Sequence, residues 1–182
     1  MAVGTWSGDA GHRPEEMALN GGDSAAEWAC KLSMSDINIL DVCCGIEEIC
    51  SNMYRFLAGH FSDNQTIAAL WEKTAQEEDN HAEQFRLASR LHGIGMKSVK
   101  FDLYGVKLIL NKIMTIYEHI QGRPPQIKEA LKIAVKLERE LEKYHMDLMV
   151  AFEDHNLSRL FAAMKAYDRG HIELLQRAHD SL

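Results

Sequence analysis

Hydrophobic positions recur at three- and four-residue steps along most of the chain, and this period predicts helices rather than strands. Residues 35–61 place Leu40, Cys43, Glu47, Cys50, Tyr54, Leu57 and Phe61 on one face. The polar stretch "SDNQ" then turns the chain, and Ser62 with Gln65 makes a capping-box pattern. The second helix runs on to about residue 91, with Ile67, Leu70, Trp71, Thr74, Glu78, His81 and Phe85 along one face. "HGIG" stops it, with Gly93 at the position of a C-terminal cap. Residues 101–120 form an amphipathic segment of their own, ended by "QGRPPQ". Pro125 suits a first helical turn, so a third long helix starts there. It continues to about residue 154 through Ile133, Val135, Leu141, Met149 and Phe152. "DHNLS" turns the chain again, and residues 158–179 present Leu160, Phe161, Met164, Leu174 and Leu175.

The order is two hairpinned helices, a connector, and two more hairpinned helices. A 20-residue helix spans about 30 Å, close to the length of a bundle. Such a connector returns the chain to the opposite end before the third helix begins. The expected fold is therefore all-α, a four-helix bundle over residues 35–182 with a long helical crossover between its second and third helices. Residues 1–34 read as a Gly-rich polar arm. Within it, Ser24 and Glu27 make a capping box for a short helix over 25–32.

Composition adds exclusions. The net charge of -7 argues against a nucleic-acid partner. The apolar run from Val106 to Ile120 is broken by Lys107, Asn111 and Lys112, so no membrane span is expected. The first residues have neither a basic start nor an apolar core, which excludes a secretory signal there and makes the cytoplasm the expected location. The four cysteines, Cys30, Cys43, Cys44 and Cys50, show no Cys-x-x-Cys spacing and read as free thiols of a reducing compartment. Cys43 and Cys50 flank Glu47 on the inward face. Small core residues are the plain reading of them, and a redox-active thiol is the sharper one.

The informative residues are polar ones on apolar faces. The first helix carries Glu47 on its stripe. The second carries Glu78 with His81, the third Glu142 with His145, and the fourth Asp168 with His171. Residues three apart on a helix point the same way, so each acid–His pair can serve one metal centre. In a helix hairpin, residues equidistant from the turn lie level. Glu47 and Glu78 are equidistant from a point between Ser62 and Asp63, inside the "FSDNQ" turn, and Glu142 and Asp168 from His155. Three rivals stand beside these residues. Glu48 and Glu77 are out of phase with Cys43/Tyr54 and Trp71/Phe85. Glu138 lies one turn before Glu142 on the same stripe, and the level test favours Glu142. Carboxylates and imidazoles converging in this way suit a pair of transition-metal ions, because carboxylates bridge and neutralise cations and imidazole fits iron, zinc or manganese.

With "EEICSNMY" (47–54), "EEDNHAEQF" (77–85), "ELEKYHMDL" (140–148) and "YDRGHIELL" (167–175), the chain resembles the ferritin-like di-iron proteins, the rubrerythrin branch most closely, over roughly residues 36–180. The resemblance implies two iron ions. Glu47 would be a terminal ligand of one, Glu78 a bridge, and His81 a terminal ligand beside it. Glu142 and His171 would bind the second ion, Asp168 would bridge or chelate, and Tyr54 would hydrogen-bond a ligand carboxylate. Two positions depart from the pattern: Asp168 stands where the family has Glu, and His145 stands where rubrerythrins often have a second Glu. The resemblance also implies an oxidoreductase acting on hydrogen peroxide or dioxygen. No rubredoxin-type iron site follows Cys50, so a separate rubredoxin-like protein would supply the electrons. A homodimer or small homo-oligomer is expected. The competing expectations are a ferroxidase and iron-storage protein, and a non-enzymatic metal-binding or metal-sensing bundle.

Overall fold

The computed structural model describes residues 39–92, 103–151 and 155–182, and five helices follow one another in them. They are α1 (Ile39–His60), α2 (Gln65–His92), α3 (Leu103–Gly122), α4 (Ile127–Ala151) and α5 (His155–Asp180). No strand occurs among the described residues. None of the helices is long and apolar enough to cross a membrane. The expected arm over 1–34, its short helix, and the Gly93 cap lie outside the described residues.

The turn between α1 and α2 differs from expectation in its cap. Asn64, not Ser62, opens α2: its backbone carbonyl accepts from Ala68 N at 2.8 Å, and its Oδ1 accepts from Ile67 N at 3.2 Å. That is N-cap geometry, satisfying an amide that the helix itself leaves without a partner. The Ser62 amide is spent on closing α1, donating to the Gly59 carbonyl at 3.3 Å. At the start of α4 the Gln126 carbonyl accepts from Ala130 N at 2.9 Å, so Pro125 sits just ahead of the cap. α5 begins at His155, earlier than the expected start at residue 158.

α1 packs most extensively on α2, and α4 on α5. α3 lies against α1, and α2 meets α5. Two neighbours explain why α1 buries more than one stripe: Val42, Cys44, Ile46 and Met53 are buried as well as Leu40, Cys43, Cys50, Tyr54 and Leu57. Aromatic pairs tie the elements together. Tyr54 stacks on Trp71 with centroids 5.6 Å apart, Phe56 meets Tyr117 edge-on, and Phe85 packs on Phe161 at 5.2 Å.

Polar pairs fix the register of α1 against α2. Asp41 accepts from Ser89 at 2.7 Å, Glu48 pairs with Arg86, and the single Ser51 hydroxyl proton is shared between Asp79 at 2.7 Å and the Ala75 carbonyl at 3.0 Å. Arg55 completes the last of these by pairing with Asp79. Residue numbers rise on one helix as they fall on the other, so the two run antiparallel. Glu142–Arg169 and Arg139–Gln176 show the same for α4 and α5.

Candidate metal centre

Glu47, Glu78 and Glu138 are three carboxylates at 1%, 1% and 2% exposure, beside two imidazoles, His81 at 2% and His171 at 3%. Ionised groups so deep in a protein cost several kcal/mol each unless opposite charge or hydrogen bonds compensate them. Four helices supply the five residues: α1 gives Glu47, α2 gives Glu78 and His81, α4 gives Glu138, and α5 gives His171.

They fall into two overlapping groups. Glu47, Glu78 and His81 bring one ligand atom each within 4.8 Å of one another, and so do Glu78, Glu138 and His171. Glu78 belongs to both, and its two oxygens face opposite ways. Oε2 lies 3.5 Å from His81 Nδ1, and Oε1 lies 3.5 Å from His171 Nδ1. Glu47 Oε2 lies 3.8 Å from His81 Nδ1. The two rings are 5.7 Å apart, inclined by 29°. A carboxylate with one oxygen in each of two three-residue groups is the arrangement that spans two cations.

The donor set fits such ions on chemical grounds. Three carboxylates and two imidazoles match iron, manganese or zinc, and a pair of divalent ions would more than offset the buried negative charge. Glu78 Oε1 and both ring nitrogens of His171 are buried and meet no hydrogen-bond partner among the described residues. Buried lone pairs without hydrogen bonds are uncommon in native proteins and call for an ion or a water.

The electrostatics agree. Burial would lower the His81 pKa, but the Glu47 and Glu78 carboxylates outweigh it and push it up to about 11. Without a metal, the ring therefore holds a proton and supplies the positive charge that its neighbours require. Tyr54 donates its hydroxyl to Glu138 Oε1, which fixes that carboxylate. Burial and the adjacent Glu138 raise the Tyr54 pKa well above the usual tyrosine value, so it stays a donor.

Four of the expected site residues, Glu47, Glu78, His81 and His171, come together. Glu142 does not join them. Its side chain is 21% exposed and accepts from Arg169 Nε at 3.0 Å. Glu138 takes the place on α4 instead, held by Tyr54 of α1, while Arg169 of α5 takes Glu142. Glu138 follows Leu131 by two turns on the buried face, while Glu142 is rotated about 40° further round, towards Arg169. The level test could not separate them, because Glu138 and His171 straddle the turn as evenly as Glu142 and Asp168 do. His145 and Asp168 fall in α4 and α5, but their side chains lie outside the described residues. Glu48 turns away to Arg86, as its phase predicts. Glu77 was passed over by phase, yet it reaches His171 Nε2 at 2.6 Å. No pattern within α2 shows that contact, because its partner is on another helix.

Two predictions follow from these placements. Glu142→Gln is expected to keep full metal binding and to change stability by no more than about 1 kcal/mol, as exposed ion pairs do. Glu138→Gln is expected to lose one ion of two, read by elemental analysis after reconstitution. Equal losses from both variants would contradict the assignment. Two of the thiols, Cys44 and Cys50, are expected to be inert. Burial, with Glu47, Glu78 and Glu138 nearby, holds Cys50 well above the ordinary thiol value, and burial with Glu48 pushes Cys44 up to about 12. Protonated buried thiols are poor nucleophiles. Alkylation of the folded chain at neutral pH should leave both unmodified by mass spectrometry, and modification of either would refute this.

Compared with protein-family models, with curated proteins and with solved structures, the chain gives no match.

Proposed function

We propose that the chain is a di-iron carboxylate oxidoreductase that reduces hydrogen peroxide or dioxygen, with electrons from a separate donor. In this reading α1, α2, α4 and α5 form a ferritin-like four-helix bundle of the rubrerythrin kind, and α3 is its crossover. The observation that carries it is Glu78, buried, with one oxygen toward His81 and the other toward His171.

Glu47 and His81 would hold one ion, Glu138 and His171 the other, and Glu78 both. A pair of ferrous ions held there would supply the two electrons that, with two protons, convert hydrogen peroxide to two waters. The chain's own part is placement and exclusion. Tyr54 keeps Glu138 oriented through its hydroxyl proton. The depth of all five side chains keeps bulk water out and strengthens each charge interaction. Zinc and manganese suit the same donors, and iron is preferred because the proposed reaction needs a metal that changes oxidation state.

The test is to load the chain with iron, reduce it without air, and add peroxide in small steps. One peroxide should be consumed per two irons, faster than by free ferrous ion, with absorption appearing in the near ultraviolet. Iron that binds but consumes peroxide no faster than free ferrous ion would rule out the reductase reading.

A further inference from the structure

His171 has a carboxylate at each ring nitrogen. Nδ1 lies 3.5 Å from Glu78 Oε1, and Nε2 lies 2.6 Å from Glu77 Oε2. Neither approach has the direction of a hydrogen bond, and all four atoms are buried with no hydrogen-bond partner among the described residues. Nitrogen and oxygen lone pairs held this close call for a positive centre, a proton between them or a metal cation beside both. On the Nδ1 side that centre belongs to the pair of groups described above. The Nε2 side is separate, because Glu77 is in neither group.

Glu77 also differs from the five buried residues in position. Its side chain is 22% exposed, and its other oxygen lies 3.8 Å from Lys73 Nζ. It therefore reaches from a ring at 3% exposure out to solvent. A cleft of about 460 Å³ opens at the same place, lined by Glu77, Asn80, His81, Glu83 and Gln84. Gln84 Oε1, on the same wall, is likewise buried without a hydrogen-bond partner. The cleft thus carries the Glu77 and Glu83 carboxylates, the Gln84 amide oxygen and the His81 ring, and Glu77 joins it to His171 behind.

We propose that Glu77 Oε2 and His171 Nε2 form a two-donor loading station, through which divalent cations pass from this cleft to the buried centre. The proposal rests on the two-cation reading above. Two donors hold a divalent ion weakly, which suits a site that must release it inward. The three-residue groups beyond it hold an ion more firmly, so the gradient of donor number runs inward. Lys73 occupies the outer oxygen of Glu77 until a cation displaces it.

The experiment follows Co²⁺ uptake by the metal-free full-length chain in a stopped-flow spectrometer, with final stoichiometry from elemental analysis. Glu77→Gln keeps shape and removes charge. Glu72→Gln, on the exposed side of the same helix, removes the same charge away from the cleft. Glu77→Gln should fill to the same two ions per chain as wild type, but about tenfold more slowly, the low end of what a charged cleft gives an association rate. Its rate should also depend less on salt than that of wild type, while Glu72→Gln should load like wild type. Wild-type loading speed in Glu77→Gln, or equal slowing in Glu72→Gln, overturns the loading station and leaves the two-cation reading standing. A final stoichiometry below two in Glu77→Gln also overturns it, by making Glu77 a ligand of the centre. A wild-type chain that takes up no cobalt overturns both.

Discussion

Glu78→Ala is expected to empty both halves of the centre at once, whereas Glu47→Ala or Glu138→Ala should empty only one. Glu78 alone among the five residues contributes to both groups, with Oε2 beside His81 and Oε1 beside His171. Its removal takes one of three donors from each ion. It also takes away the charge that lets two cations sit close together. The stability consequence is conditional on metal. An ion present at 100 times its Kd stabilises the fold by about 2.7 kcal/mol. For a chain of this size, two such ions raise the melting temperature by about 10–20 °C. Wild type should show that rise on loading, and Glu78→Ala should show none. Without metal the order is expected to level or invert, because the variant no longer buries a carboxylate. Calorimetric melting of both proteins, loaded and stripped, reads all four states. A Glu78→Ala protein that still gains the full increment would contradict the bridging role.

Loading is also expected to expel protons and to strengthen as pH rises. In the stripped protein Glu47 and Glu78 push the His81 pKa up to about 11 against the opposing effect of burial, so its ring is protonated at neutral pH. A metal needs the nitrogen lone pair and must displace that proton. The same raised value sets the sign of the stripped protein's pH dependence. The folded-state pKa lies above the unfolded value of about 6.5. The stabilisation from His81 is then complete below that value and is lost as pH rises through about 11. Alkaline pH should therefore loosen the stripped chain and spare the loaded one. Titration calorimetry in buffers of different ionisation enthalpy should report about one proton released from His81, with an affinity that climbs between pH 6 and 9. A pH-independent affinity with no proton release would show that His81 is already neutral.

The helices and most of the centre were legible because they obey local rules. A period of three to four residues fixes which side of α1 and α2 is buried, and that phase alone separates Glu47 from Glu48 and Glu78 from Glu77. The antiparallel hairpin geometry then sets Glu47 level with Glu78 before any contact is known. What the sequence left open depends on neighbours that lie far apart in the chain. Glu138 and Glu142 are one turn apart on one stripe, and the choice falls to Tyr54 on α1 and Arg169 on α5, each of which takes one carboxylate. Glu77 was dismissed by phase because phase describes burial, not reach; a long side chain at the margin of the buried face can still find His171. Asn64 displaced Ser62 as the cap because the turn that closes α1 runs on through Asn64, whose amide donates to the Phe61 carbonyl at 2.9 Å, so α2 starts two residues later than the Ser62 pattern implies. Each of these outcomes needed a partner from another element or the end of the preceding helix.

The central claim is that five buried side chains hold two metal ions through one shared carboxylate. Equilibrium dialysis of the metal-free chain against Fe²⁺ without air, followed by elemental analysis, measures it most directly. Two ions per chain in wild type, and fewer than one in Glu78→Ala under the same conditions, is the predicted result. A wild-type chain that retains no iron, manganese or zinc beyond the dialysis background would contradict it and leave Glu47, Glu78, Glu138, His81 and His171 as a proton-sharing core network.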